Sequence, residues 1–121
     1  MGIDPRALVG VPFRLHGRDP VTGLDCVGVA ALVFGVREVP RGYSVRTADG
    51  AGVAALIDAA GLRRVRRDPV SGDLVLVKSG PAQCHLVVMT GAGFVHADAG
   101  IGRVVETPGS LPWPVIAIWE T

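Results

Sequence analysis

The stretch Asp25-Cys26-Val27-Gly28-Val29-Ala30-Ala31-Leu32-Val33-Phe34 would be apolar on every side of a helix, and no other feature restricts the fold as much. Asp25 is a natural N-cap and Gly35 a natural stop. A surface helix shows one apolar stripe, whereas a helix with no polar face has to be buried all round. Within 121 residues that demands a sheet to receive the helix and further elements to cover it. The chain reads as a central helix packed on a sheet.

The remaining pattern supplies the sheet. Asp4 and Pro5 open a short helix over 5–9, with Asp4 capping and Pro5 at the first helical position. Residues 12–23 and 37–50 read as loops, and Asp49 caps a second helix over 51–60 that Gly61 closes. Beyond Gly61 the apolar period changes to two, which predicts strands over 62–66, 73–78, 84–89, 94–98, 103–106 and 115–119. Thr90-Gly91-Ala92-Gly93 joins two of these as a hairpin. Helices first and strands afterwards predict an α+β fold with an antiparallel sheet, a single domain over 1–121. The 17 glycines and 9 prolines suit short elements joined by many turns.

Charge and composition remove several function classes. Lys+Arg 12 against Asp+Glu 11 leaves a net charge of +1, which advertises neither a nucleic-acid partner nor an acidic lipid surface. No apolar run reaches the roughly 20 residues of a membrane span, so no membrane partner is expected. The opening MGIDPRALVG has no long apolar segment. A secretory signal is therefore not expected, and the chain is expected to be cytoplasmic at synthesis. Two cysteines are too few for a disulfide-stapled domain or a cysteine zinc site. They are two thiols or one Cys26–Cys84 bridge.

Chemistry can gather at three positions. Cys26 falls in the first turn of the apolar helix, where backbone N–H groups and the dipole favour a thiolate. That predicts a depressed thiol pKa and faster alkylation than at Cys84. His85 and His96 each interrupt an otherwise apolar strand. If Met89 pairs with Phe94, His85 faces Asp98 and Val87 faces His96. His85, His96 and Asp98 then share one face, and the two imidazoles are diagonal neighbours roughly 7–8 Å apart at the backbone. Cys84 alternates away from His85, into the core of the opposite layer. A thiol, a base and a group to orient the base are what nucleophilic cysteine catalysis requires. Two core histidines, or a metal held by both with Asp98 or a cysteine, are the other readings, and the metal reading lacks a tight ligand pair. Asp98 rivals His96 as the orienting group.

Other features read as structural. Arg63, Arg64, Arg66 and Arg67 read as a solvated basic strand edge in preference to a site for an anionic polymer or partner. Asp73 closes a turn rather than acting in catalysis, and Trp113 and Trp119 pack rather than form a sugar platform.

Gly10-Val11-Pro12-Phe13, Gly23-Leu24-Asp25-Cys26-Val27-Gly28 and Val39-Pro40-Arg41 look like "G-x-P-Y", "G-x-D-C-S-G" and "L-P-R" motifs. Ser71-Gly72-Asp73-Leu74-Val75, Cys84-His85-Leu86-Val87-Val88 and Gly93-Phe94-Val95-His96-Ala97 look like "P-G-D-L-V", "x-H-V-G-I" and "G-x-F-I-H-A". In this order and spanning roughly residues 10 to 98, they resemble the NlpC/P60 cysteine peptidases of bacterial cell walls. The chain departs from that pattern at Val27 (a serine in the family), at Val87 (a glycine) and at Leu15 or His16, where an aromatic residue often stands.

The resemblance implies a papain-like fold with Cys26 as nucleophile, His85 as base and His96 as the orienting residue. It implies hydrolysis of a peptide bond in the peptidoglycan stem peptide, often the one after D-glutamate, with no metal or organic cofactor. Compact members of the family travel with phage tails or transfer particles, so particle proteins are the implied partners. A non-catalytic structural piece of such a particle, or an acyltransferase using the same triad, are the alternatives.

Overall fold

In the computed structural model, residues 2–39, 43 and 50–120 are described. A 3₁₀ turn at Pro5–Leu8 leads to β1 (Arg18–Asp19), β2 (Gly23–Leu24), α1 (Cys26–Phe34) and α2 (Ala51–Ala59). There follow β3 (Arg63–Val65), β4 (Leu74–Gly80), β5 (Gln83–Met89), β6 (Gly93–Asp98), β7 (Arg103–Pro108) and β8 (Val115–Glu120). The last six strands make one sheet, in the order β3-β8-β4-β5-β6-β7. Every neighbouring pair is antiparallel. The α+β prediction holds. Among the described residues no helix is long and apolar enough to cross a membrane.

The apolar helix forms where its caps place it. Asp25, in extended backbone, accepts the Gly28 N–H at 2.8 Å, and Gly35 ends the helix in the left-handed region with φ 70°. Cys26 through Ala31 are buried, and α1 lies on β5 and β6. Leu74, Leu76, Leu86, Val88, Val95, Ala97 and Trp119 join it in the helix-side core. Val75, Val77, Val87, Phe94 and Ile118 form a second cluster, with Trp113 and Leu111 over them. A sheet apolar on both faces explains why β4 and β5 read as near-continuous apolar runs.

The short helix forms as a 3₁₀ turn, with Asp4 accepting the Arg6 N–H at 2.9 Å. The loop expected over 12–23 holds β1 and β2, and bridges join Pro12 to Arg103 and Phe13 to Leu24. Strands of two residues carry no readable period. Helix α2 starts after Gly50, whereas its expected cap Asp49 and most of the 37–50 loop lie outside the described residues. Pro40 and Arg41 lie outside them too. The basic run is largely neutralised, with Arg63 on Glu120, Arg64 on Asp58, and Arg67 on both Asp73 and Glu120. Asp73 closes its turn by accepting the Val70 N–H at 2.8 Å. Trp119 is fully buried, its indole N–H donating to Asp58 at 2.8 Å.

The hairpin has the expected register where it forms: Met89 pairs with Phe94 and Val88 with Val95. The ladder then stops, so the expected pairs His85–Asp98 and Val87–His96 are not made. Strand β5 follows β4 through six pairs and β6 follows β7 through six. Each strand is held by its longer ladder, and the two diverge toward His85 and Asp98. The divergence opens the sheet beside the N-terminus of α1.

Close approach explains Gly28. A Cβ there would stand 2.2 Å from the Gly17 carbonyl oxygen, in the loop that covers the helix start. Gly52, in α2, has nothing within 4 Å of such an atom. Gly28→Ala should therefore lower stability by about 1–3 kcal/mol, while Gly52→Ala should raise it by about 0.5–1 kcal/mol. Urea midpoints at unchanged slope check both; a neutral Gly28→Ala would show that the loop does not seat against the helix.

Candidate active site

A cavity of about 570 Å³ lies at the opening between β5 and β6. Cys26 reaches it from α1, Cys84 and His85 from β5, and His96, Ala97 and Asp98 from β6. His16, Tyr43, Ser79 and Trp113 complete much of its wall. The structure thus brings Cys26, His85 and His96 to one cavity.

The histidines touch directly. His85 Nε2 and His96 Nδ1 are 2.9 Å apart, and His96 Nε2 lies 3.1 Å from Thr107 Oγ1. With Nε2 engaged, Nδ1 is the nitrogen His85 has left for other chemistry. The Trp113 ring stands edge-on to both imidazoles, 6.0 Å from each, and Phe94 flanks His96 at 5.1 Å. Burial pushes the His85 pKa down to about 4, with His96 adding to the shift and the Asp98 carboxylate opposing it. Burial lowers His96 as well, against the same carboxylate. At neutral pH both rings are uncharged.

Asp98 lines the cavity, but its Oδ1 accepts the Ile101 N–H at 3.0 Å and its carbonyl accepts the Gly102 N–H at 2.7 Å. It caps the turn before β7, and the hydrogen bond to His85 Nε2 belongs to His96.

Cys26 departs from expectation. Its thiol is pushed up to about 12, by burial first and then by the neighbouring Asp25 carboxylate. Backbone N–H groups of Leu86 and Val27 favour the thiolate without overcoming these effects. The helix dipole was expected to win, but the N-cap carboxylate occupies the end where the dipole is felt. Cys26 is 6% exposed and Cys84 0%, and the two do not form a disulfide. Cys84 sits in the helix-side core, as its strand parity requires.

Asp25 is 3% exposed and gathers four donors. Besides Gly28 these are the His16 N–H at 2.9 Å, Arg18 Nη1 at 3.2 Å and the Tyr43 hydroxyl. Burial, then the hydrogen bond to Asp25, raises the Tyr43 pKa, which keeps its hydroxyl a donor. His16 takes φ 59°, the only non-glycine residue at positive φ among those described, and its ring meets Tyr43 edge-on at 4.9 Å. Sequence reasoning missed Tyr43 and Thr107, named His16 only as a departure from the motif, and read Trp113 as packing in preference to a sugar platform. For Tyr43 the available signal was its being the single tyrosine, set in a glycine- and proline-bearing loop. Among the described residues no three His, Cys, Asp or Glu side chains are grouped to hold a metal ion.

No protein-family model and no curated protein matches the chain. Solved structures do. The NlpC/P60 domain of the peptidoglycan hydrolase SagA superposes with TM-score 0.56 at 22% identity, over 86% of this chain and 82% of that one. The P60 domain of an antigen from M. avium subspecies paratuberculosis gives 0.59 at 23%, over 96% and 88%. The chain has the NlpC/P60 fold. The peptidoglycan hydrolase RipB from Mycobacterium tuberculosis also matches, with TM-score 0.59 at 23% identity. That match covers 96% of this chain but 60% of RipB. Within the NlpC/P60 fold of this chain, the apolar helix carries Cys26 and the split strands carry the two histidines.

These shifts have measurable consequences. With the Cys26 thiol near 12, its alkylation rate should rise about tenfold per pH unit from pH 6 to 9 without a plateau. Cys84 should lag throughout; a plateau near pH 7 would mean a thiolate already formed. For stability, a histidine whose folded pKa lies below its unfolded value loses nothing above pH 6.5, where both states are neutral. Between pH 6.5 and about 4 the unfolded chain takes up a proton that folded His85 refuses, so stability falls with acidification. The loss from His85 should approach the order of 2–3 kcal/mol by pH 4. Denaturation midpoints across this window should flatten in His85→Gln, and an equally steep fall in that variant would move the effect to other groups.

Proposed function

We propose that this chain is a cysteine peptidase of the NlpC/P60 family that hydrolyses a peptide bond in peptidoglycan stem peptides. Cys26 is the nucleophile, His85 the base and His96 the positioning residue, within one domain over 1–121. The observation that carries this reading is the 2.9 Å His85–His96 contact on the cavity that Cys26 also lines. The substrate class rests on the fold, since SagA and RipB are peptidoglycan hydrolases.

The mechanism follows from the charge states. At neutral pH the thiol is protonated and His85 uncharged, so proton transfer accompanies attack. Sγ bonds to the carbonyl carbon as its proton passes to His85 Nδ1, and N–H groups at the start of α1 meet the developing oxyanion. The C–N bond then breaks, with His85 returning the proton to the leaving amine. Water, deprotonated by His85, cleaves the thioester and frees the acid. No step calls on a metal or organic cofactor.

With this we propose delivery to the wall by a phage-tail-like particle, as the resemblance to compact members of the family suggests; co-purification with particles tests it. One observation favours a second reading, a non-catalytic structural piece: the thiol is buried and held protonated.

Digestion of purified sacculi separates the two. The wild type should release stem peptides, and Cys26→Ala should release none. His96→Ala should lower turnover roughly 10²–10⁴-fold while Asp98→Ala, folded, costs little. No release by the wild type, with Cys26 unreactive, would support the structural reading. The reverse ranking of the two variants would hand the orienting role to Asp98.

A further inference from the structure

The protons on the imidazole chain can be arranged in only two ways. Both rings are uncharged at neutral pH, so each carries one proton. In one arrangement His85 Nε2–H donates to His96 Nδ1, and His96 Nε2–H donates to Thr107 Oγ1. His85 Nδ1 is then bare and can accept a proton. In the other, the Thr107 hydroxyl donates to His96 Nε2 and His96 Nδ1–H donates to His85 Nε2. His85 Nδ1 then carries the proton and cannot act as a base. The two arrangements differ in whether the Thr107 hydroxyl accepts from His96 or donates to it.

We propose that Thr107 fixes the productive tautomer of both histidines by accepting from His96, and is thereby a positioning residue for the base. Its effect on turnover rests on the function proposed above, whereas its effect on the tautomer does not. The fold supports the placement. Thr107 pairs with Phe94 and Val105 with His96, so Thr107 and His96 are diagonal neighbours on one face of the β6–β7 ladder. Gly93 lets β7 come close at that point, since a Cβ there would stand 2.0 Å from the Thr107 carbonyl oxygen. His96 is 5% exposed and hemmed by Phe94 and Trp113, so water has little room to replace the hydroxyl. Without the hydroxyl, the first arrangement leaves a buried ring N–H with no acceptor and the second only a bare ring nitrogen. The unpaired donor costs more, which drives the protons into the second arrangement.

Long-range ¹H–¹⁵N correlation at pH 7 reads the tautomers directly, in the whole chain and without substrate. The wild type should show protonated Nε2 and bare Nδ1 on both His85 and His96. The isosteric Thr107→Val should shift His85 toward the Nδ1–H form, and Thr107→Ser should keep the wild-type pattern. On sacculi, kcat should fall about tenfold or more in Thr107→Val with KM unchanged, and recover in Thr107→Ser. Wild-type protein with His85 protonated at Nδ1, or a Thr107→Val spectrum identical to wild type, overturns the proposal. Tautomers that respond as expected in a protein inactive on sacculi uphold it and overturn the peptidase reading instead.

Discussion

A buried carboxylate holds this molecule's working end together. Asp25 begins the apolar helix by capping Gly28, and the same carboxylate draws in His16, Arg18 and Tyr43 from the chain before and after it. A charge this deep survives only if it is paired and its lone pairs are filled, and Asp25 meets both conditions. The loop of residues 14–17 therefore cannot leave the helix without exposing an uncompensated charge. Gly17 and Gly28 have to be glycine for that loop to seat. The cap that starts the helix also walls the cavity and raises the neighbouring thiol.

Two elements meet at the cavity because the sheet comes apart there. Had the β5–β6 ladder continued, its backbone groups would have been consumed in pairing and the N-terminus of α1 would have faced a closed surface. Because it ends at Val88, the Leu86 N–H lies against the Cys26 sulfur. The divergence also lets the imidazoles meet nitrogen to nitrogen across the gap. The outer ladders, β4 with β5 and β6 with β7, hold the opening in place.

How far the sequence reads depends on whether a feature is periodic or tertiary. The apolar run at 26–34 read as a buried helix, which it is from Cys26 to Ala31, and the alternation after Gly61 read as a sheet of short strands. His85 and His96 stood out because each broke such a run, and turn geometry alone gave the pairing of Met89 with Phe94. What stayed hidden depends on three-dimensional neighbours. The two-residue strands β1 and β2 have no period. Tyr43 reaches Asp25 from 18 residues along the chain. The end of the β5–β6 ladder follows from competition between neighbours that no single strand's pattern encodes. The thiol's direction was misjudged for the same reason: position in the helix predicts its dipole, but not the burial and the carboxylate that outweigh it.

That misjudgement bears on how the proposed chemistry is controlled. Burial disfavours charge on either group, so it pushes the Cys26 thiol up and the His85 imidazole down, and both rest neutral. An exposed cysteine with a depressed pKa would be a thiolate at all times, open to alkylation and oxidation. A neutral thiol has little nucleophilicity until its proton has somewhere to go, and in the proposed mechanism His85 Nδ1 takes it only as charge moves on to a carbonyl oxygen. On the proposed function, a polar substrate seated in the cavity brings dipoles of its own, and the N–H groups at the head of α1 hold the charge that results. On the proposed function, Asp25 cannot be replaced to ease the first step without unseating the loop that shapes the cavity. The same carboxylate therefore sets both the seating of the loop and the reluctance of the proposed nucleophile, and on that proposal reactivity has to come from what binds.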